Sequence, residues 1–107
     1  MTRSEAEQMI PSSFIIGGNT ITVEIKDLGD DNFGIFDPLR NKIIIFLRVK
    51  DEDGELVVFT KEQVQNTFYH ELFHAFNYFY DNEMSEVFAQ TFANMTCEYI
   101  NTRTYDR

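Results

Sequence analysis

The chain has 107 residues, 43% of them hydrophobic and 15% aromatic, with 18 acidic against nine basic residues and a net charge of −9. That length admits one domain with a single core, without a separate substrate-binding lobe, and the composition is that of a folded chain rather than a disordered one. So negative a surface repels phosphate backbones, which argues against nucleic acid as a partner.

Residues 1–12 are polar and run into Pro11, which predicts a short arm or a single helical turn. Ser13–Ile16 leads into Gly17-Gly18-Asn19, residues that supply the positive φ angles of a tight hairpin. Ile21, Val23 and Ile25 then alternate with Thr20, Thr22, Glu24 and Lys26, the period-two mark of a half-buried strand. Residues 29–32 read as a turn, 33–36 as a short strand, and Asp37-Pro38-Leu39-Arg40-Asn41 as a second turn. Lys42–Arg48 is nearly continuous in apolar character, so a strand covered on both faces is expected. Asp51-Glu52-Asp53-Gly54 is an acidic loop that lacks the downstream glutamate of an EF-hand and reads as a solvated turn.

The second half is helical. Thr60 and Gln63 fit a capping box, and Val64, Phe68, Leu72, Ala75 and Phe76 recur at helical spacing. Asp81-Asn82 breaks the pattern before a second helix over about 83–100. The reading is therefore a single domain of the α+β class: an arm (1–12), three or four strands (13–59), two helices (60–80 and 83–100) and a frayed tail (101–107). Eleven Phe imply a core rich in aromatic rings. The single Cys97 suits a reducing compartment, and neither a membrane-spanning run nor a signal-peptide core is visible. A cytoplasmic location without a membrane partner is expected.

The chain's two histidines stand four residues apart in His70-Glu71-Leu72-Phe73-His74. On a helix that spacing puts both imidazoles on one face, about 40° apart in azimuth and about 6 Å apart in rise. Two such rings can hold one zinc ion, with Glu71 placed to act as base toward a zinc-activated water. The competing reading is a metal-free pair on a buried helix face. A catalytic zinc takes three protein ligands, and with no further histidine the third is acidic or, less favourably, Cys97. The second helix offers Glu83, Glu86 and Glu98. Glu86 shares a stripe with Ala89, Gln90, Ala93 and Cys97 that is expected to face the first helix, whereas Glu83 suits the N-terminal dipole. Bringing Glu86 to His74 asks the first helix to end nearer Asn77, with 78–82 as a loop.

His-Glu-x-x-His followed by a glutamate from the next helix resembles the gluzincin metallopeptidases. The segment Glu86-Val87-Phe88-Ala89-Gln90-Thr91-Phe92-Ala93 is similar to the Glu-x-x-Ala-(Asn/Asp)-x-Phe-Ala signature of ImmA/IrrE-like peptidases and related short phage-encoded zincins, with Gln90 in place of Asn or Asp. The small size also resembles the minigluzincins. The resemblance covers about residues 42–100. It implies a compact zincin-like domain with zinc on His70, His74 and Glu86, Glu71 as the catalytic base, and Gln90 supporting a ligand histidine. It further implies hydrolysis of peptide bonds in a peptide or protein substrate. Strand Ile43–Leu47 is expected beside the cleft, where it can pair with an extended substrate. An oxyanion donor would have to come from residues such as Tyr78, Tyr80 or Tyr99, but spacing singles out none of them and each reads better as a core or rim aromatic. The alternatives are a zincin-like binding or regulatory protein without turnover and, against the charge, a nucleic-acid-associated factor.

Overall fold

The computed structural model describes residues 1–29, 31–79 and 86–107, with the side chains of residues 86–90 and 93 outside the description. The N-terminal segment is a seven-residue helix, α1 (Arg3–Met9), rather than a single turn. Thr2 and Glu5 cap it reciprocally: Glu5 N–H donates to Thr2 Oγ1 at 3.2 Å and Thr2 N–H to Glu5 Oε1 at 3.0 Å. Ala6 and Ile10, one turn apart, are buried and fasten it to the core.

Among the described residues five strands follow, one more than the sequence pattern indicates: β1 (Ser13–Ile16), β2 (Asn19–Gly29), β3 (Gly34–Asp37), β4 (Lys42–Lys50) and β5 (Leu56–Val58). The hairpin expected at Gly17-Gly18-Asn19 joins β1 to β2, both glycines taking positive φ (57° and 78°). β2 pairs parallel with β4, β3 antiparallel with the far side of β4, and β5 antiparallel with its C-terminal end. β4 thus lies inside the sheet, and β3 is an edge. β4 is covered on both faces only at Ile45–Leu47, since Ile44 and Arg48 are part-exposed. The acidic residues 51–54 make the β4–β5 turn, where the Asp51 carboxylate accepts from the backbone N–H of Asp53 and Glu55.

Helix α2 (Lys61–Phe79) starts at the expected capping box, with Gln63 N–H donating to Thr60 Oγ1 and Thr60 N–H to Gln63 Oε1. Its stripe Val64, Phe68, Leu72, Ala75 and Phe76 is buried on the sheet. The helix does not stop near Asn77. Tyr78 and Phe79 both pack their rings against Phe36, which holds the last turn in place. Helix α3 (Glu86–Thr102) is pinned to the hairpin: Gly17 N–H donates to Glu98 Oε1 at 2.6 Å, and Ile15 N–H to Thr102 Oγ1 at 2.8 Å.

The core is aromatic at its centre, where Phe14, Phe68 and Tyr99 meet with centroids 4.9–6.2 Å apart. The tail is not frayed. Thr104 bridges to Ser13, and the Arg107 guanidinium donates to the carbonyl oxygens of Glu7, Ile10 and Pro11. These partners are remote in sequence, so no local pattern announces them. The architecture is α+β, strands before the two long helices. No helix among the described residues is long and apolar enough to cross a membrane.

Candidate metal centre

α2 carries three chemically distinct faces, about one helical step apart. Thr67 and Glu71 face β3, His70 and His74 face outward beside them, and Leu72, Phe73 and Phe76 turn toward α3. Both imidazoles are exposed, so a metal-free pair buried in the core is not what the fold contains. Their Nε2 atoms lie 3.0 Å apart, with ring planes at 78°. Two nitrogens on a tetrahedral zinc, each ~2.05 Å from it, stand ~3.3 Å apart, so the spacing fits a shared cation with a small adjustment. Without a cation one Nε2 must donate to the other, which requires at least one neutral ring.

Glu71 lies between these histidines in sequence but in a different environment. It is 6% exposed, and its Oε2 is buried without a hydrogen-bond partner among the described residues. Burial pushes its carboxyl above the ordinary 4.5, while His74 and His70 pull it back. Ligand atoms of His70, Glu71 and His74 all lie within 4.8 Å of one another. An orphaned carboxylate oxygen beside two converging imidazoles is the donor chemistry a divalent cation selects.

Two concavities meet at Glu71. One, of about 260 Å³, is lined by Phe33, Gly34, Asn66, Thr67, His70 and Glu71. The other, of about 470 Å³, is lined by Phe36, Pro38, Glu71, His74, Asn77 and Tyr78. Together they form a cleft along β3. The strand expected at the cleft, Ile43–Leu47, belongs to β4, whose edges are already paired with β2, β3 and β5. A strongly apolar run marks an internal strand, and among the described residues the less apolar β3 has the open edge. Phe46 N–H donates to Phe33 O, so antiparallel alternation turns the N–H and C=O of Gly34 and Phe36 toward that edge.

Of the tyrosines considered from sequence, Tyr78 lines the cleft and Tyr99 is buried in the core, while Tyr80 lies outside the described residues. Asn66 and Asn77 line it as well and carry no sequence signal beyond sharing the outer face of α2 with the histidines. Among the second-helix acids, Glu98 is engaged by the Gly17 amide. Cys97 is exposed and outside the cluster. Glu83 lies outside the described residues. Glu86 opens α3, but its side chain and that of Gln90 lie outside the description. Of the stripe expected to face α2, Ala89 and Ala93 are likewise outside it and Cys97 points to solvent. Among the described side chains, Phe92, Thr96, Tyr99 and Ile100 line the side of α3 toward α2.

No protein-family model, curated protein or solved structure matches the chain.

Proposed function

We propose that this chain is a zinc-dependent metallopeptidase of gluzincin-like design acting on peptides or unfolded protein segments. The observation that carries the reading is the exposed pair of Nε2 atoms 3.0 Å apart beside the buried, unpartnered Oε2 of Glu71. Zinc on His70, His74 and Glu86 would supply Lewis acidity toward the scissile carbonyl and toward water. Glu71 takes a proton from the attacking water as the oxygen bonds to the carbonyl carbon, then passes it to the departing amine nitrogen. Poor solvation of its carboxylate strengthens it as a base. The open edge of β3 holds an extended peptide across the cleft through Gly34 and Phe36. Tyr78, on the cleft wall, is the O–H donor best placed to meet charge on the carbonyl oxygen. Gln90 would steady a ligand histidine. The unpaired Cys97 fits a reducing, cytoplasmic setting. Neither nucleic acid nor a membrane is proposed as a partner.

A second reading rests on the closeness of Glu71 to both rings. If its carboxylate ligates, the site holds a metal but lacks a free base, and the protein is a binding or regulatory module. Metal content and turnover of an unfolded protein substrate, measured on wild type and Glu71→Gln, separate the two. A peptidase keeps its zinc and loses turnover on substitution. A binding module shows no turnover at all and loses metal.

A further inference from the structure

α3 is drawn to one side of the sheet by Glu98 and Thr102 bonding the β1–β2 hairpin, whereas α2 packs over β3 and β4. Anchored on different strands, the two helices diverge and leave a groove of about 390 Å³ between them. Its floor is Leu72 and Phe76, both buried, and its walls include Tyr69, Phe73 and Ile100, each about half exposed (51%, 48% and 48%). Arg103, at one end, is the sole formal charge among the described residues that line it. The guanidinium lies 5.8 Å over the Tyr99 ring and has no carboxylate within ion-pair distance among the described residues. An arginine stacked on Tyr99 at the end of an apolar trough offers a cation in a chain of net charge −9.

We propose that this groove binds an amphiphile, its apolar chain along Phe73 and Phe76 and an anionic head on Arg103. The trough runs from Phe92 to Arg103, about 16 Å at the helical rise, the reach of an extended alkyl chain of about a dozen carbons. Its volume and lining are those of small-ligand sites, mostly apolar with a few polar groups, Arg103 the charged one among the described residues. The Tyr99 phenol, pushed up to about 12 by burial, stays protonated at neutral pH. A second copy of the chain is a poorer occupant, because it would bring another nine negative charges to the same face. The site is separate from the histidines and independent of the peptidase reading.

The test is titration with dodecanoate below its micelle concentration, followed by calorimetry, with dodecanol and dodecyltrimethylammonium as comparators. One dodecanoate per chain is expected, bound more tightly than the cationic amphiphile, in chelated and zinc-loaded protein alike. Arg103→Gln should weaken dodecanoate about tenfold and leave dodecanol unchanged. Thr96→Trp, which fills the groove from its wall without emptying the core, should abolish both; circular dichroism checks that each variant is folded. Equal affinity for anionic and cationic heads, or binding untouched by both substitutions, would overturn the proposal. So would self-association through this face, or retention on anionic vesicles without binding of monomeric dodecanoate.

Discussion

Gly34 and Thr67 meet where only a hydrogen fits: a Cβ on Gly34 would stand 2.7 Å from Thr67 Cγ2, 3.1 Å from Ile44 O and 3.2 Å from Glu71 Cγ. This contact sets how closely the cleft strand approaches the helix that carries Glu71. Gly34→Ala should therefore destabilise the fold by about 1–3 kcal/mol through overpacking. Thr67→Ser removes the obstructing methyl and keeps the hydroxyl that donates to Gln63 O. Adding it to Gly34→Ala should recover part of the loss, and urea denaturation of the four proteins in the cycle measures how much. Additive losses in the double variant would show that the methyl is not the obstacle.

Glu71→Gln should retain zinc while hydrolysis falls about 10²–10⁴-fold, the usual loss of a general base. The same substitution carries a stability signature in chelator-treated protein. Burial raises the Glu71 carboxyl above 4.5, so the folded state holds the proton more tightly than the unfolded one. Below pH 4.5 both states are protonated, and wild type and variant differ little from this cause. As pH rises through the raised value, wild type must ionise a buried carboxylate and loses stability, while Gln does not. Thermal melts should place the variant above wild type at neutral pH, by roughly a few degrees, with the gap closing in acid.

Glu86→Ala should weaken zinc binding by orders of magnitude, and Glu83→Ala should barely change it. His70→Ala and His74→Ala set the scale for loss of one ligand. Competition against a chromogenic chelator reads all four. A larger effect at Glu83 would move the ligand one turn toward the N-terminus of the chain.

Arg107→Ala removes three charge-assisted hydrogen bonds to the carbonyl oxygens of Glu7, Ile10 and Pro11. Solvent screening of this part-exposed group reduces their worth, so a loss of about 1–2 kcal/mol in urea denaturation is expected. The metal affinity proposed above should be unchanged, because the contact lies outside the His70–Glu71–His74 group.

What the sequence made legible was local. The Thr60–Gln63 capping box, the buried stripe of α2, the alternation of β2 and the paired histidines are each written within a few consecutive residues. A similar signal, Thr2-x-x-Glu5, marks α1 and was available in the same way. β5 was hidden because its three residues are all exposed and show no alternation. Hydrophobicity also misdirected the choice of cleft strand, since it reports burial, and the strand that can receive a peptide is the one left at the edge. Exposure of the histidines, the isolation of Glu71 Oε2 and the turn of Tyr78 into the cleft depend on how α2 seats on the sheet, which no spacing encodes.

The bonds that close the structure join residues far apart along the chain: Ser12 and Ser13 with Thr104, separations of 92 and 91, and Glu7 with Arg107, a separation of 100. Contacts of such long range come late, because the loop must be ordered before anything rewards it. α2, capped at its own start and rich in local bonds, can form long before. The two imidazoles therefore come together early in folding, while any ligand carried on α3 waits for the C-terminal segment to close over β1. If α3 supplies a zinc ligand, as proposed, the rate of tight metal capture during refolding should follow chain closure rather than helix formation.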